Sequence, residues 1–363
     1  LVRSRGLGDV YKRQLLLDMS GMLNDIGFNL DDELGVANMA EYHYDDGAVY
    51  GFPTKYENSR WILINEDMFK EAGLDIPYDG WTYSEFLADA EKLTHGEGQD
   101  KVYGVCWARK QSGKSILYAL DGVLGANQIY KNEEGTEVNF DNDVYRAGLN
   151  LVKETLDKGY AIPIEDEFSE DISVANTFLQ GKCAIMLGVA QMRLCMDQEN
   201  YPHDFMTALV PAPVPDDEKY NTEFYRKQIG TTGAGDLLSI SANTKYPEAS
   251  FEFAMWYLKG GMSPLVQGGR IPLWNGVNKD EVLSVLKEKA QGSIDMDSME
   301  NYLSLDTTQG VAAIKGNASS EISSAWFEEF DAMCYGKQSV DQTVQNMEKR
   351  GNELIQTELS SQK

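Results

Sequence analysis

The chain has 363 residues, more than the roughly 250 to 300 at which a single hydrophobic core stops growing, so two structural units are expected. Its composition, 42% hydrophobic and 25% charged, is that of an ordinary globular protein and excludes collagen-like, low-complexity and disordered classes. A net charge of −26 excludes nucleic acid and anionic lipid surfaces as partners, because both require clustered Lys and Arg.

The first fourteen residues stand apart. Residues 1–14 carry Arg3, Arg5, Lys12 and Arg13 against the single acid Asp9, whereas the remaining 349 residues hold a charge of −29. They include no apolar core of signal-peptide length, so they are read as a non-native leader. The longest apolar run, residues 183–192, falls far short of the roughly 20 residues that span a bilayer. Cys106, Cys183, Cys195 and Cys334 lie 77, 12 and 139 residues apart. That spacing matches no zinc or redox motif, and His43, His95 and His203 are dispersed, so neither a metal nor a cofactor is expected.

From Leu15 onward, helical and strand-like apolar segments alternate, the α/β pattern. Residues 61–64 read as a strand, after which Asn65 caps a helix that ends at Gly73. Pro77 and Gly80 mark a loop, and Thr82 with Glu85 forms a capping box for a helix whose face is Phe86, Leu87, Ala90 and Leu93. Residues 102–107 read as a strand, residues 176–179 close a helix at Gly181, and residues 183–187 form the next strand. Residues 237–240 are a further strand, Pro247 takes the first position of a buried helix over 249–258, and a capping box at Ser339 and Gln342 opens the last helix. Trp61, Trp81, Trp256 and Trp326 are expected in the core.

Three blocks early in the chain carry a resemblance: Tyr50-Gly51-Phe52-Pro53, then Ile64-Asn65-Glu66-Asp67-Met68-Phe69-Lys70-Glu71-Ala72-Gly73-Leu74, then Trp81-Thr82-Tyr83-Ser84-Glu85-Phe86. Phe178-Leu179-Gln180-Gly181-Lys182-Cys183-Ala184-Ile185-Met186, the stretch from Ser239 to Ala249, and Gly336-Lys337-Gln338-Ser339-Val340-Asp341 follow in the same order. Together they resemble the extracellular solute-binding proteins that include the maltose-binding proteins. The resemblance implies a two-lobed periplasmic-binding-protein-like fold of type II, with hinge crossovers and an incomplete first lobe. Residues 15–58 and 236–290 would form that first lobe, and 59–235 and 291–363 the second. It also implies a monomer that closes on a carbohydrate and delivers it to the permease subunits of an ABC transporter, as an extracellular lipoprotein or a periplasmic protein, without catalysis.

Sugars present apolar faces ringed by hydroxyls, so a site needs aromatic plates and planar polar side chains. At the first crossover these are Tyr56, Glu57, Asn58 and Arg60; at the end of strand 102–107 they are Trp107 and Arg109. Where the family places a stacking tryptophan after strand 183–187 this chain has Ala190, leaving Gln191 and Arg193 as polar contacts. Thr232, Gly233 and Asp236 lie in the glycine-rich return, and Trp274 follows Pro272. The alternatives are a non-sugar solute, a glycoside hydrolase using a carboxylate pair such as Glu165 and Glu167, or an NTPase. For the NTPase, residues 108–115 form a relaxed phosphate loop with Lys114 and Ser115.

Overall fold

A computed structural model describes residues 15–39, 42, 47–58, 60–110, 130–132, 134–169, 172–227, 234–304 and 318–361. Among the described residues seven strands fall into two sheets: β1 (Phe52–Tyr56), β2 (Trp61–Asn65), β3 (Tyr103–Cys106), β4 (Cys183–Leu187), β5 (Thr207–Pro211), β6 (Ala234–Leu238) and β7 (Ile271–Pro272). One sheet has the order β6-β1-β7, antiparallel throughout; the other has the order β3-β4-β2-β5, with β3 and β4 parallel. β1 and β2 are neighbours in sequence yet belong to different sheets, so Glu57, Asn58 and Arg60 lie in a crossover.

Each sheet has its own core. The smaller cluster joins Met19, Leu23, Phe28, Leu30 and Leu34 to Phe52, Ile240, Phe251, Leu258 and Leu273. The larger cluster gathers β2 to β5 with the helices Tyr83–Leu93, Asp143–Asp157, Lys279–Ala290, Met296–Ser304, Ser319–Cys334 and Val340–Ser361. β2, β4 and β5 are buried at every position, which explains why they read as unbroken apolar runs instead of alternating ones. β1 changes along its length, from buried Phe52–Thr54 to half-buried Lys55 and Tyr56 as it approaches the crossover.

Local signals are realised where the chain provides its own partners. Asn65 accepts from the Met68 amide at 3.1 Å, and Gly73 takes φ +69°. Thr82 and Glu85 form a reciprocal capping box, and Pro247 opens the helix Pro247–Trp256. Ser339 accepts from the Gln342 amide at 3.2 Å, but the Gln342 side chain turns to Asn346, so only one arm of that box forms. β6 lies three residues ahead of the expected strand at its start, because its ladder with β1 pairs Phe52 with Leu238 and Lys55 with Gly235. Trp61, Trp81 and Trp326 are buried as expected. Trp256 is not: it is 59% exposed, because its helix turns it and Phe253 away from Phe251, Ala254 and Met255, which face the core.

The end of β3 is also a structural device. Trp107, expected as a ligand plate, is 2% exposed; its indole donates to Thr155 Oγ1 at 2.9 Å and packs on Phe86. Arg109, expected as a clamp, is held by both oxygens of Asp331 at 2.7 and 2.9 Å and lies over Phe327. Both residues are therefore occupied within the larger core. Beneath them the fully buried Glu167 accepts from the backbone of residues 108–110, and the Cys106 thiol lies 3.9 Å from its Oε1. Lys114 and Ser115 of the relaxed phosphate loop lie outside the described residues.

Two predictions follow from this packing. A Cβ on Gly104 would sit 2.2 Å from the Ala90 carbonyl oxygen, so Gly104→Ala should lose about 1–3 kcal/mol in urea unfolding; a change under about 0.5 kcal/mol contradicts the packing. Burial pushes the Glu167 carboxyl up to about 7, against the opposing backbone hydrogen bonds. An acid raised in the folded state contributes stability below its unfolded pKa near 4.5 that is lost as pH rises through about 7. Wild-type stability should therefore fall by up to about 3 kcal/mol across that window relative to Glu167→Gln, and parallel pH profiles would contradict it.

Candidate ligand-binding site

The crossover is clamped from one side. Tyr302, in helix Met296–Ser304, accepts at its hydroxyl from the Asn58 amide at 2.8 Å, and its carbonyl accepts from the Tyr56 hydroxyl at 3.0 Å. Its ring meets Tyr56 and Trp61 edge-on at 5.1 and 5.3 Å. Burial pushes both phenols above their ordinary range, so they remain protonated and Tyr56 keeps its donor. Asn58 is fully buried, with its Oδ1 accepting from the Arg60 amide at 3.1 Å, and the Arg60 carbonyl accepts from Ala212 at 2.7 Å. Of the four residues expected to line the first crossover, Tyr56, Asn58 and Arg60 thus build the crossover itself. Glu57 instead pairs with Lys55 and keeps 24% of its side-chain surface.

A belt of polar pairs, linked through the backbone at Gly235 and Gly269, starts at Glu57. Its carboxylate meets Lys55 Nζ at 2.5 Å, with both side chains on one face of the chain two residues apart. Gly235 of β6 runs against this pair: a Cβ there would lie 3.3 Å from Lys55 Cε and 3.4 Å from Glu57 Oε2. The next residue, Asp236, adopts φ +54°, an unfavourable conformation for a side-chain-bearing residue. Its carbonyl accepts from Thr54 Oγ1 at 2.9 Å, and its carboxylate pairs with Arg270. Gly269 precedes Arg270 at φ +75°, and a Cβ on it would come within 2.8 Å of Arg193 Cβ. Arg193 then donates to Gln191 Oε1 at 3.1 Å.

The belt runs from the small sheet to the turn after β4, bridging the two cores. Asp236 and Arg270 keep 40% and 43% of their side-chain surface, so these groups are accessible to a solute. Four of the sequence-predicted residues, Glu57, Gln191, Arg193 and Asp236, are brought together. Lys55 and Arg270 were not foreseen: Lys55 was legible as the residue two before Glu57 in a strand, whereas Arg270 arrives only through the pairing of Tyr56 with Ile271. Trp274 is half-buried beside the smaller core, its indole donating to Glu33 Oε2 at 2.7 Å. Thr232 and Gly233 lie outside the described residues.

A cavity of about 710 Å³ opens elsewhere, lined by Asn65, Asp67, Met68, Glu71, Leu179 and His203 among others. It holds none of the predicted residues, and its walls come from segments around the larger sheet alone. A solute held there would have no contact with the smaller core, so the belt is the better candidate.

Comparison with known proteins agrees with this architecture. The family model for bacterial extracellular solute-binding proteins matches residues 5–259, a span that begins inside the basic segment 1–14. An ABC substrate-binding protein of Listeria monocytogenes, solved in complex with cycloalternan, shares the fold with a TM-score of 0.69 at 17% identity, over 95% of this chain and 81% of that one. A sugar transporter from Rhizobium etli in an open conformation superposes with a TM-score of 0.67 at 17% identity, over 96% of this chain and 81% of that one. The sugar-binding protein MalE from Xanthomonas citri gives a TM-score of 0.64 at 17% identity, over 94% of this chain and 80% of that one. With its two sheets, its clamped crossover and a family match covering more than half its length, the chain belongs to the bacterial extracellular solute-binding proteins.

Proposed function

We propose that this chain captures a carbohydrate at the belt between its two cores and presents it to the permease subunits of an ABC importer, without chemistry of its own. The observation that carries this reading is the belt: the pairs Lys55–Glu57 and Asp236–Arg270 of the small sheet and Arg193–Gln191 after β4 are brought close by the tight approaches at Gly235 and Gly269. Several fold neighbours are described as sugar-binding proteins, which favours a saccharide over other solutes. In this reading the lobes follow the cores: 15–58 with β6 to about Trp274 form the first, and the rest the second. Helix Lys279–Ala290 then goes with the second lobe, since Val282, Leu286 and Ala290 pack in the larger cluster. Among the described residues no helix is long and apolar enough to cross a membrane. The protein acts as a monomer outside the cell membrane, lipid-anchored or free in a periplasm.

Binding works by population shift. Open and closed arrangements interconvert about the crossover, and a solute that touches both lobes only in the closed form favours that form by its extra contacts. Specificity comes from hydrogen-bond geometry, because a mismatched hydroxyl leaves a polar group of the belt unpaired. A saccharide at 100 times its Kd should stabilise the protein by about 2.7 kcal/mol, read as a rise in Tm of several degrees. A saccharide panel that leaves Tm unchanged, while amino acids, peptides or ATP with Mg²⁺ raise it, would overturn the proposal.

A further inference from the structure

We infer that the solute carries an anionic group of carboxylate geometry, an acidic saccharide of the uronate kind, and that Arg193 receives that group. The inference rests on the carbohydrate reading and narrows it. Arg109, Arg146, Arg226, Arg270 and Arg350 each meet a carboxylate of this acid-rich chain. Arg193 instead donates to a neutral amide, Gln191 Oε1, and its side chain is exposed. A guanidinium offers five donors in a planar fork and one amide contact uses little of it.

The charge balance of the belt points the same way. Lys55 cancels Glu57 and Arg270 cancels Asp236, so the belt as a whole carries the single positive charge of Arg193. That sign is opposite to the −26 of the chain. A lone positive charge beside two internally neutral pairs favours one negative charge on the ligand. The turn Gly188-Val189-Ala190-Gln191-Met192-Arg193 contains no aromatic residue, so stacking on a sugar face is not available from it and recognition there is polar. Gly269 lets the loop that carries Arg270 pass close to Arg193, since a Cβ on it would come within 2.8 Å of Arg193 Cβ.

Calorimetric titration of the full chain with glucuronate, galacturonate and digalacturonate, each beside its neutral parent sugar, tests this. At least one uronate should bind about tenfold or more tighter than its parent, as expected when a charge-assisted bond replaces a neutral one. Arg193→Gln, which keeps the side-chain stem beside Gly269, should bring that ratio close to one, while Arg226→Gln, whose arginine pairs with Glu85 and no belt residue, should leave it unchanged. A parent sugar that binds as tightly as its uronate overturns the inference and leaves the carbohydrate reading intact. A preference that survives Arg193→Gln, or sugar phosphates binding where uronates do not, overturns the assignment to Arg193 or to a carboxylate. If no saccharide binds and another solute does, both readings fall together.

Discussion

The structure depends on how the four-residue link between β1 and β2 crosses from one sheet to the other. Tyr302 makes that crossing possible by accepting the Asn58 amide and receiving the Tyr56 hydroxyl, so a segment that leaves its sheet does not leave its polar backbone unpaired. Because β1 ends at this clamp, the last residues of the small sheet are delivered at a fixed height beside the larger core. Lys55, Glu57, Asp236 and Arg270 gather there as a consequence of strand pairing.

The two cores differ in a way that matters for a capturing protein. The larger one surrounds a sheet whose β2, β4 and β5 strands are wholly buried. The smaller one rests on a three-stranded sheet and short helices, with Leu237, Phe253 and Trp256 about half exposed. Motion between two such bodies concentrates where they share the least packing, at the crossovers. The belt lies there, so under the proposed function closure and recognition would use the same residues.

Much of this was legible in the sequence, and the limits have physical causes. Asn65, Thr82 with Glu85, and Pro247 act through neighbours a few residues away, so their roles are written locally. The buried strands of the larger sheet were equally plain from their apolar runs. Trp107 and Arg109 misled because an aromatic and a guanidinium at a strand end look alike whether they meet a ligand or Thr155 and Asp331, which lie 48 and 222 residues away. Within Tyr56 to Arg60 the residue types gave no means of separating Glu57, which pairs with Lys55, from Asn58 and Arg60, which hold the crossover. Arg270 joined the site only through sheet register, and register follows from pairing partners that hydropathy does not name.

The central claim is that the belt spans two bodies that close on a solute. Pulsed electron–electron distance measurements between spin labels on cysteines placed at Ile26, beside the smaller core, and Glu91, on helix Tyr83–Leu93, test it directly. A saturating saccharide should replace a broad, long distance distribution with a shorter and narrower one. A distribution unchanged by a saccharide that calorimetry shows to be bound would contradict the account.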